Sequence, residues 1–158
     1  MEFSEIIRMA AEESINGIRR GDKESEVKAI QDYIKNASLI IVPNKNGLKL
    51  DSINQALKEF GLNSAICKNI DTNFADCSRL PAINKCLMAV DQFEADLFIA
   101  RGRLGLPGSG SLLIFMDSKG RILTAGSSPS HVIHKNSLGS SVYNETVQAL
   151  ERIGLKKL

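Results

Sequence analysis

The run Leu39-Ile40-Ile41-Val42 constrains this chain more than any other feature. Four adjacent apolar residues with no polar alternation describe a strand covered on both sides, the usual condition in a parallel sheet. Leu97-Phe98-Ile99-Ala100 and Leu112-Leu113-Ile114-Phe115-Met116 read as further strands. Asp117-Ser118-Lys119-Gly120 then makes a hairpin turn that returns the chain as Arg121-Ile122-Leu123-Thr124-Ala125. Ala65-Ile66-Cys67 is a shorter candidate strand, followed by a polar loop over residues 69–76.

Helices fill the intervals. Ile6, Ile7, Ala10, Ala11, Ser14, Ile15 and Ile18 recur at helical spacing, and Val27, Ile30 and Ile34 mark a second helix after the Arg20-Gly21-Asp22 turn. Gly21 suits the cap of the first helix and Asp22 that of the second. Ser52 and Gln55 are spaced to cap a helix whose inner face is Ala56, Leu57 and Phe60. Pro81 opens another through Ile83, Cys86, Leu87 and Val90, and Val142, Thr146, Ala149 and Ile153 define the last. This order favours an α/β fold with a mixed central sheet flanked by helices. At 158 residues it reads as one domain over 1–158.

Composition narrows the function. The chain is 43% hydrophobic and 24% charged, which excludes a charge-rich disordered protein. A net charge of +2, with six Phe, two Tyr and no Trp, gives neither the basic surface nor the stacking platform of a nucleic-acid binder. No apolar run is long enough to cross a bilayer, and the acidic start Met1-Glu2-Phe3-Ser4-Glu5 does not resemble a signal peptide. Cys67, Cys77 and Cys86 are an odd number without a C-x-x-C pair, which favours a reducing compartment. Cytoplasmic location is expected, with no membrane or nucleic-acid partner.

Chemistry concentrates in three places. Between two apolar strands lies Arg101-Gly102-Arg103-Leu104-Gly105-Leu106-Pro107-Gly108-Ser109-Gly110-Ser111, a stretch with no regular-element pattern. Its glycines let backbone N–H groups approach an anion, Arg101 and Arg103 supply directional cationic contacts, and Ser109 and Ser111 add short donors. It lacks the G-K-S/T ending of a Walker A loop. Second, Pro43-Asn44-Lys45-Asn46-Gly47 follows the first strand. Lys45 and Asn46 are placed either to contact a nucleotide or merely to turn the chain, even into a hairpin with Leu48–Leu50. Third, Ser130, His131 and His134 follow the hairpin, and His131 is a candidate for substrate contact or proton transfer. Asp71, Asp76, Asp91 and Asp96 are the carboxylates open to magnesium, with no tight acidic pattern to decide among them, and Asp96 and Asp71 are the expected ligands. The cysteines read as structural.

Ala100-Arg101-Gly102-Arg103-Leu104-Gly105, continued by Pro107-Gly108-Ser109-Gly110-Ser111, and the later Ser128-Pro129-Ser130-His131 with His134-Lys135 resemble a small family from methanogenic archaea. These are the guanylyltransferases that help build the iron-guanylylpyridinol cofactor of the mononuclear iron hydrogenase. The resemblance implies an inosine-triphosphate-pyrophosphatase-like fold, a homodimer and a magnesium-assisted reaction of GTP with a substituted pyridinol. It also implies contacts with other cofactor-maturation proteins. Within that frame Arg101, Arg103 and His131 are the expected catalytic residues. Lys45, Asn46, Gly105, Gly108, Ser109, Gly110, Ser111 and Ser130 are the expected nucleotide contacts. The competing readings are a nucleoside-triphosphate pyrophosphatase and a noncatalytic nucleotide or cofactor carrier.

Overall fold

The computed structural model describes residues 2–44 and 47–158. The chain divides into two compact units, Met1–Asn36 and Ala37–Leu158. The first is a pair of helices, α1 (Phe3–Ile15) and α2 (Glu24–Asn36). Phe3 and Tyr33 bring their rings to 5.1 Å, and Arg19 ties the segments together through Glu13 at 3.1 Å and Glu26 at 2.7 Å. The expected turn is present, but α1 is closed at Asn16-Gly17 rather than at Gly21. The cap of α2 also differs, since the Glu26 carboxylate accepts from the Lys23 amide without Asp22. The apolar stripe of α1 forms, yet none of its residues is buried.

The second unit carries a five-stranded sheet in the order β2-β1-β3-β4-β5. Its strands are β1 (Ile40–Pro43), β2 (Ala65–Lys68), β3 (Leu97–Arg103), β4 (Ser111–Asp117) and β5 (Ile122–Ser128). β1 is buried along its whole length and pairs in parallel with β2 and β3, as its unbroken apolar run requires. β3–β4 and β4–β5 are antiparallel, so the sheet is mixed. Helices α3 (Gly47–Glu59), α4 (Asn73–Asp76), α5 (Pro81–Gln92), α6 (His131–His134) and α7 (Leu138–Glu151) complete the unit.

Alternation along β3 shows how the two faces are covered. Phe98 and Ala100 pack with Ile114, Met116 and the α5 residues Cys86 and Ala89. Arg101, one position on, faces the other way and meets Glu145 of α7. On that second face α3 packs on α7, and α7 on β4 and β5.

Several local expectations are corrected. Arg101, Gly102 and Arg103 continue β3, each paired with a residue of β4, so only residues 104–110 form the connection. Strand-end pairing overrides the poor strand propensity of glycine here. β5 likewise runs to Ser128, past Ala125. α3 begins at Gly47, which places Ser52 inside the helix and buries it, so Ser52 is not a cap. The helical assignment from Gly47 also removes the hairpin with Leu48–Leu50, and β1 takes β2 and β3 as partners instead. Residues 73–76 form one helical turn within the stretch expected to be loop.

The strand order makes a crevice at one edge. From β1 the chain crosses through α3 to β2 on one side, then through α4 and α5 to β3 on the other. Connections that part in this way leave the carboxyl ends of the two central strands open, the usual ligand position in α/β sheets. Arg101 and Arg103 end β3 at that edge, and the antiparallel β4 begins there with Ser111.

Candidate functional site

Arg101 is held by a buried carboxylate. Its Nε donates to Glu145 Oε1 at 2.7 Å, and its Nη2 donates to Glu145 Oε2 at 3.2 Å and to Ser111 Oγ at 2.9 Å. The Ser111 hydroxyl in turn donates to Glu145 Oε2 at 2.6 Å. The Glu145 side chain has no exposed surface and Arg101 retains only 16%. Removing one partner of such a buried pair leaves the other unpaired and typically costs about 3–5 kcal/mol. The Nη1 corner of the fork is used by none of these bonds.

Close packing puts Glu145 there. Gly126 of β5 lies against α7 so tightly that a Cβ would fall 2.0 Å from the Glu145 carbonyl oxygen. Thr124 Oγ1 donates to the Ala149 carbonyl at 2.7 Å, one α7 turn further on, and fixes the same contact. Gly126 has no Cβ to keep the helix away, and the glutamate side chain reaches across β4 to β3.

A second group of charges surrounds the ends of α4 and α5. Arg103 Nη2 donates to the Asp76 carbonyl at 2.6 Å, while its buried Nε has no hydrogen-bond partner among the described residues. Buried donors are nearly always paired, so this N–H is an unsatisfied group that costs the free protein energy. Lys85 Nζ stands 2.7 Å from Asp76 Oδ1 and donates to the Arg101 carbonyl at 3.4 Å. Lys49, on the first turns of α3, is held below the ordinary lysine range by burial first, then by the charges of Lys85 and Arg101. Asp76 and Glu145 act on it in the opposite sense. Four cations thus face two carboxylates, an excess that an anion would balance.

Beside this cluster a cavity of about 640 Å³ opens between the β3–β4 connection and the segment after β5. That volume is in the range of small-molecule sites. Of the residues expected from sequence, Arg101, Arg103, Gly108, Gly110, Ser111, Ser130 and His131 line it. His134 joins them, and Pro129, Val132 and Leu138 give the wall an apolar part. Ser130 also caps α6, its Oγ accepting from the Val132 amide at 3.3 Å. Asn136 N–H donates to His134 Nδ1 at 2.8 Å, which makes that nitrogen the acceptor.

Other expected residues lie elsewhere. Gly105 and Ser109 are absent from the lining; the Gly105 amide donates to Ser109 Oγ at 3.1 Å, and the Ser109 amide to the Leu106 carbonyl at 2.9 Å. These groups close the connection upon itself. Lys45 and Asn46 lie outside the described residues. Asp96 precedes β3, roughly 17 Å from Arg101 at ordinary strand rise. Its Oδ2 accepts from the Ser38 amide at 3.0 Å, the Ser38 hydroxyl at 2.9 Å and the Leu39 amide at 3.0 Å. Those bonds, led by the Leu39 amide, hold its carboxyl below the usual range. Asp71 Oδ1 accepts from the Asn73 amide at 2.9 Å, at the start of α4. No group of three or more His, Cys, Asp or Glu side chains could hold a metal among the described residues. Burial pushes the Cys86 thiol far up, in keeping with a structural role.

Sequence reading missed Glu145, Lys49 and Lys85. Each sits on a helix at a position that reads as ordinary surface charge, and the only signal available was a charged residue falling between apolar ones on α7.

Fold and site together define an α/β protein with an anion-favouring cavity at the carboxyl edge of a mixed sheet. No helix among the described residues is long and apolar enough to cross a membrane. The family model for FeGP cofactor biosynthesis protein HcgB, guanylyltransferase, matches residues 3–155, and the chain belongs to that family.

Proposed function

We propose that this protein joins GMP from GTP to the hydroxyl of a pyridinol precursor and releases pyrophosphate, as a step in building the iron-guanylylpyridinol cofactor. The observation that carries this reading is the excess of cations beside the cavity, with Arg101 and Arg103 in its wall and Lys85 and Lys49 in the cluster behind them. In the reaction the pyridinol oxygen bonds to the α-phosphorus and the bond from that phosphorus to the bridging oxygen breaks. The electron pair leaves with pyrophosphate, and the hydroxyl proton passes to His131 or to water.

Arg101, through Nη1, and the Arg103 guanidinium then offset the charge that grows on the phosphates. Gly108, Gly110, Ser111 and Ser130 shape the same wall, while Gly105 and Ser109 keep the connection folded. The apolar residues Pro129, Val132 and Leu138 suit the flat pyridinol ring. Lys45 and Asn46, next to the start of α3, remain candidates for the nucleotide. Positioning and fixed charge supply most of the rate in such a displacement, so no protein nucleophile is required.

Magnesium, bound to phosphate oxygens and one carboxylate, would supply further charge neutralisation. Of these carboxylates Asp76 is the one beside Arg103 and Lys85, within reach of magnesium that arrives on the phosphates, whereas Asp71 and Asp96 serve local turns. The reading also includes an inosine-triphosphate-pyrophosphatase-like fold, a single functional domain, a homodimer working in the cytoplasm, and contacts with other cofactor-maturation proteins.

A mass-resolved reaction with GTP, magnesium and a candidate pyridinol, with ATP as the comparison donor, tests the proposal. Guanylylpyridinol and pyrophosphate are the expected products, formed faster from GTP. GMP without an organic adduct would make the protein a pyrophosphatase, and saturable GTP binding without turnover would make it a carrier.

A further inference from the structure

We infer that Glu145 is a positioning residue for the transfer reaction, acting through Arg101 to aim one corner of its guanidinium into the cavity. The inference rests on the proposal that the cavity seats the phosphates of GTP. Its starting point is an electrostatic conflict. A carboxylate with no exposed surface stands directly behind a cavity wall that otherwise gathers positive charge. For anion affinity alone it is unfavourable, because it cancels the charge of the arginine it touches and repels a bound phosphate.

What it supplies is orientation. An arginine ends in a flexible chain, and a phosphate contact is useful in a displacement only when the donor is fixed where charge develops. Glu145 takes the Nε–Nη2 edge of Arg101 at 2.7 and 3.2 Å, and Ser111 closes the ring by donating to Glu145 and accepting from Arg101. With that edge occupied, Nη1 is the corner left for a ligand. The close approach of α7 to β5 at Gly126 sets the depth from which Glu145 reaches the guanidinium. Lysine at position 101 has one donor head and no fork, and could not satisfy Glu145 and a phosphate with the same fixed geometry.

This role gives binding and turnover opposite signs. Glu145→Gln keeps the shape and removes the negative charge, so Arg101 is less neutralised but less firmly held. Pyrophosphate, measured by calorimetry at low salt, is expected to bind Glu145→Gln severalfold more tightly than the wild type. The kcat for guanylylpyridinol formation is expected to fall about tenfold or more. The Arg101 Nε–H, followed by ¹⁵N NMR, is expected to lose its protection from exchange. Ser111→Ala leaves the charges unchanged; it should lower kcat to a smaller extent without tightening pyrophosphate.

A folded Glu145→Gln protein with unchanged kcat, or one in which pyrophosphate affinity falls together with kcat, would overturn the inference. If Glu145→Gln does not fold, a folded Ser111→Ala protein with wild-type kcat and wild-type protection at Arg101 overturns it instead. A wild type that releases GMP without forming the adduct overturns the transfer reading alone, and the same comparison is then made on GMP release. If the wild type turns nothing over, the opposite shifts in pyrophosphate affinity and Nε–H protection still decide the role of Glu145.

Discussion

Lys49 is the lysine of the cation cluster whose pKa is displaced downward. Burial disfavours its ammonium form, and Lys85 and Arg101 add like charge, so its pKa lies below that of an ordinary lysine. A polyphosphate placed among these cations favours the ammonium and raises the pKa again. The sign of the linkage follows. On the alkaline side, where part of the free protein has lost this proton, binding takes a proton up, and affinity falls as pH rises through the titration of the free protein. Pyrophosphate calorimetry in buffers of different ionisation heat measures this uptake. Wild type is expected to take up more protons than Lys49→Met, and equal uptake by the two would show that Lys49 does not face the ligand.

Much of the residue-level picture could be read from the chain. The two arginines and His131 stood out because they flank glycines, prolines and serines rather than helical stripes. Their partners did not. Glu145 is 44 positions from Arg101, and the pairing exists only because α7 lies across β4 and β5. Lys85 reaches Asp76 only after α4 and α5 have folded against one another. Charge neighbours of this sort are set by packing, and no local pattern records them.

At the scale of elements, the connection between β3 and β4 is a closed structure. The Leu104 amide donates to the Gly110 carbonyl at 3.0 Å, directly beyond the Arg103–Ser111 strand pair. Gly110 has a φ of 97°, and a Cβ there would lie 2.3 Å from the Ser128 carbonyl oxygen on β5. Gly110→Ala therefore meets both a strained backbone and a fixed neighbour, and should destabilise the fold by about 1–3 kcal/mol. Because Gly110 lines the cavity, the same change should also weaken pyrophosphate binding. Urea unfolding followed by calorimetry checks both effects; full stability with unaltered binding would show that the connection is freely deformable.

The element pattern was legible where burial produced it. β1, the cores of β3 and β4, α5 and α7 all follow apolar runs or stripes. The ends were not, since Arg101–Arg103 and Gly126–Ser128 join the sheet by pairing with β4 and not by strand-forming residues. Ser52 misled for the opposite reason: a capping pattern lies within a helix that starts five residues earlier, at Gly47.

For the molecule as a whole, the mixed sheet explains why the candidate site residues gather at a single edge. The parallel part leaves the ends of β1 and β3 open, and the antiparallel part adds Ser111 and the segment after Ser128 to the same rim. The chain belongs to the guanylyltransferase family, and on the function proposed above the cation excess at that rim receives the phosphates. The most direct measurement is a crystal structure of the protein with a non-hydrolysable GTP analogue and magnesium. The α- and β-phosphate oxygens are expected within hydrogen-bonding distance of Arg101 Nη1 and the Arg103 guanidinium. Phosphates bound at a different part of the surface, with both arginines left as they are now, would contradict the assignment of this cavity to the transfer reaction.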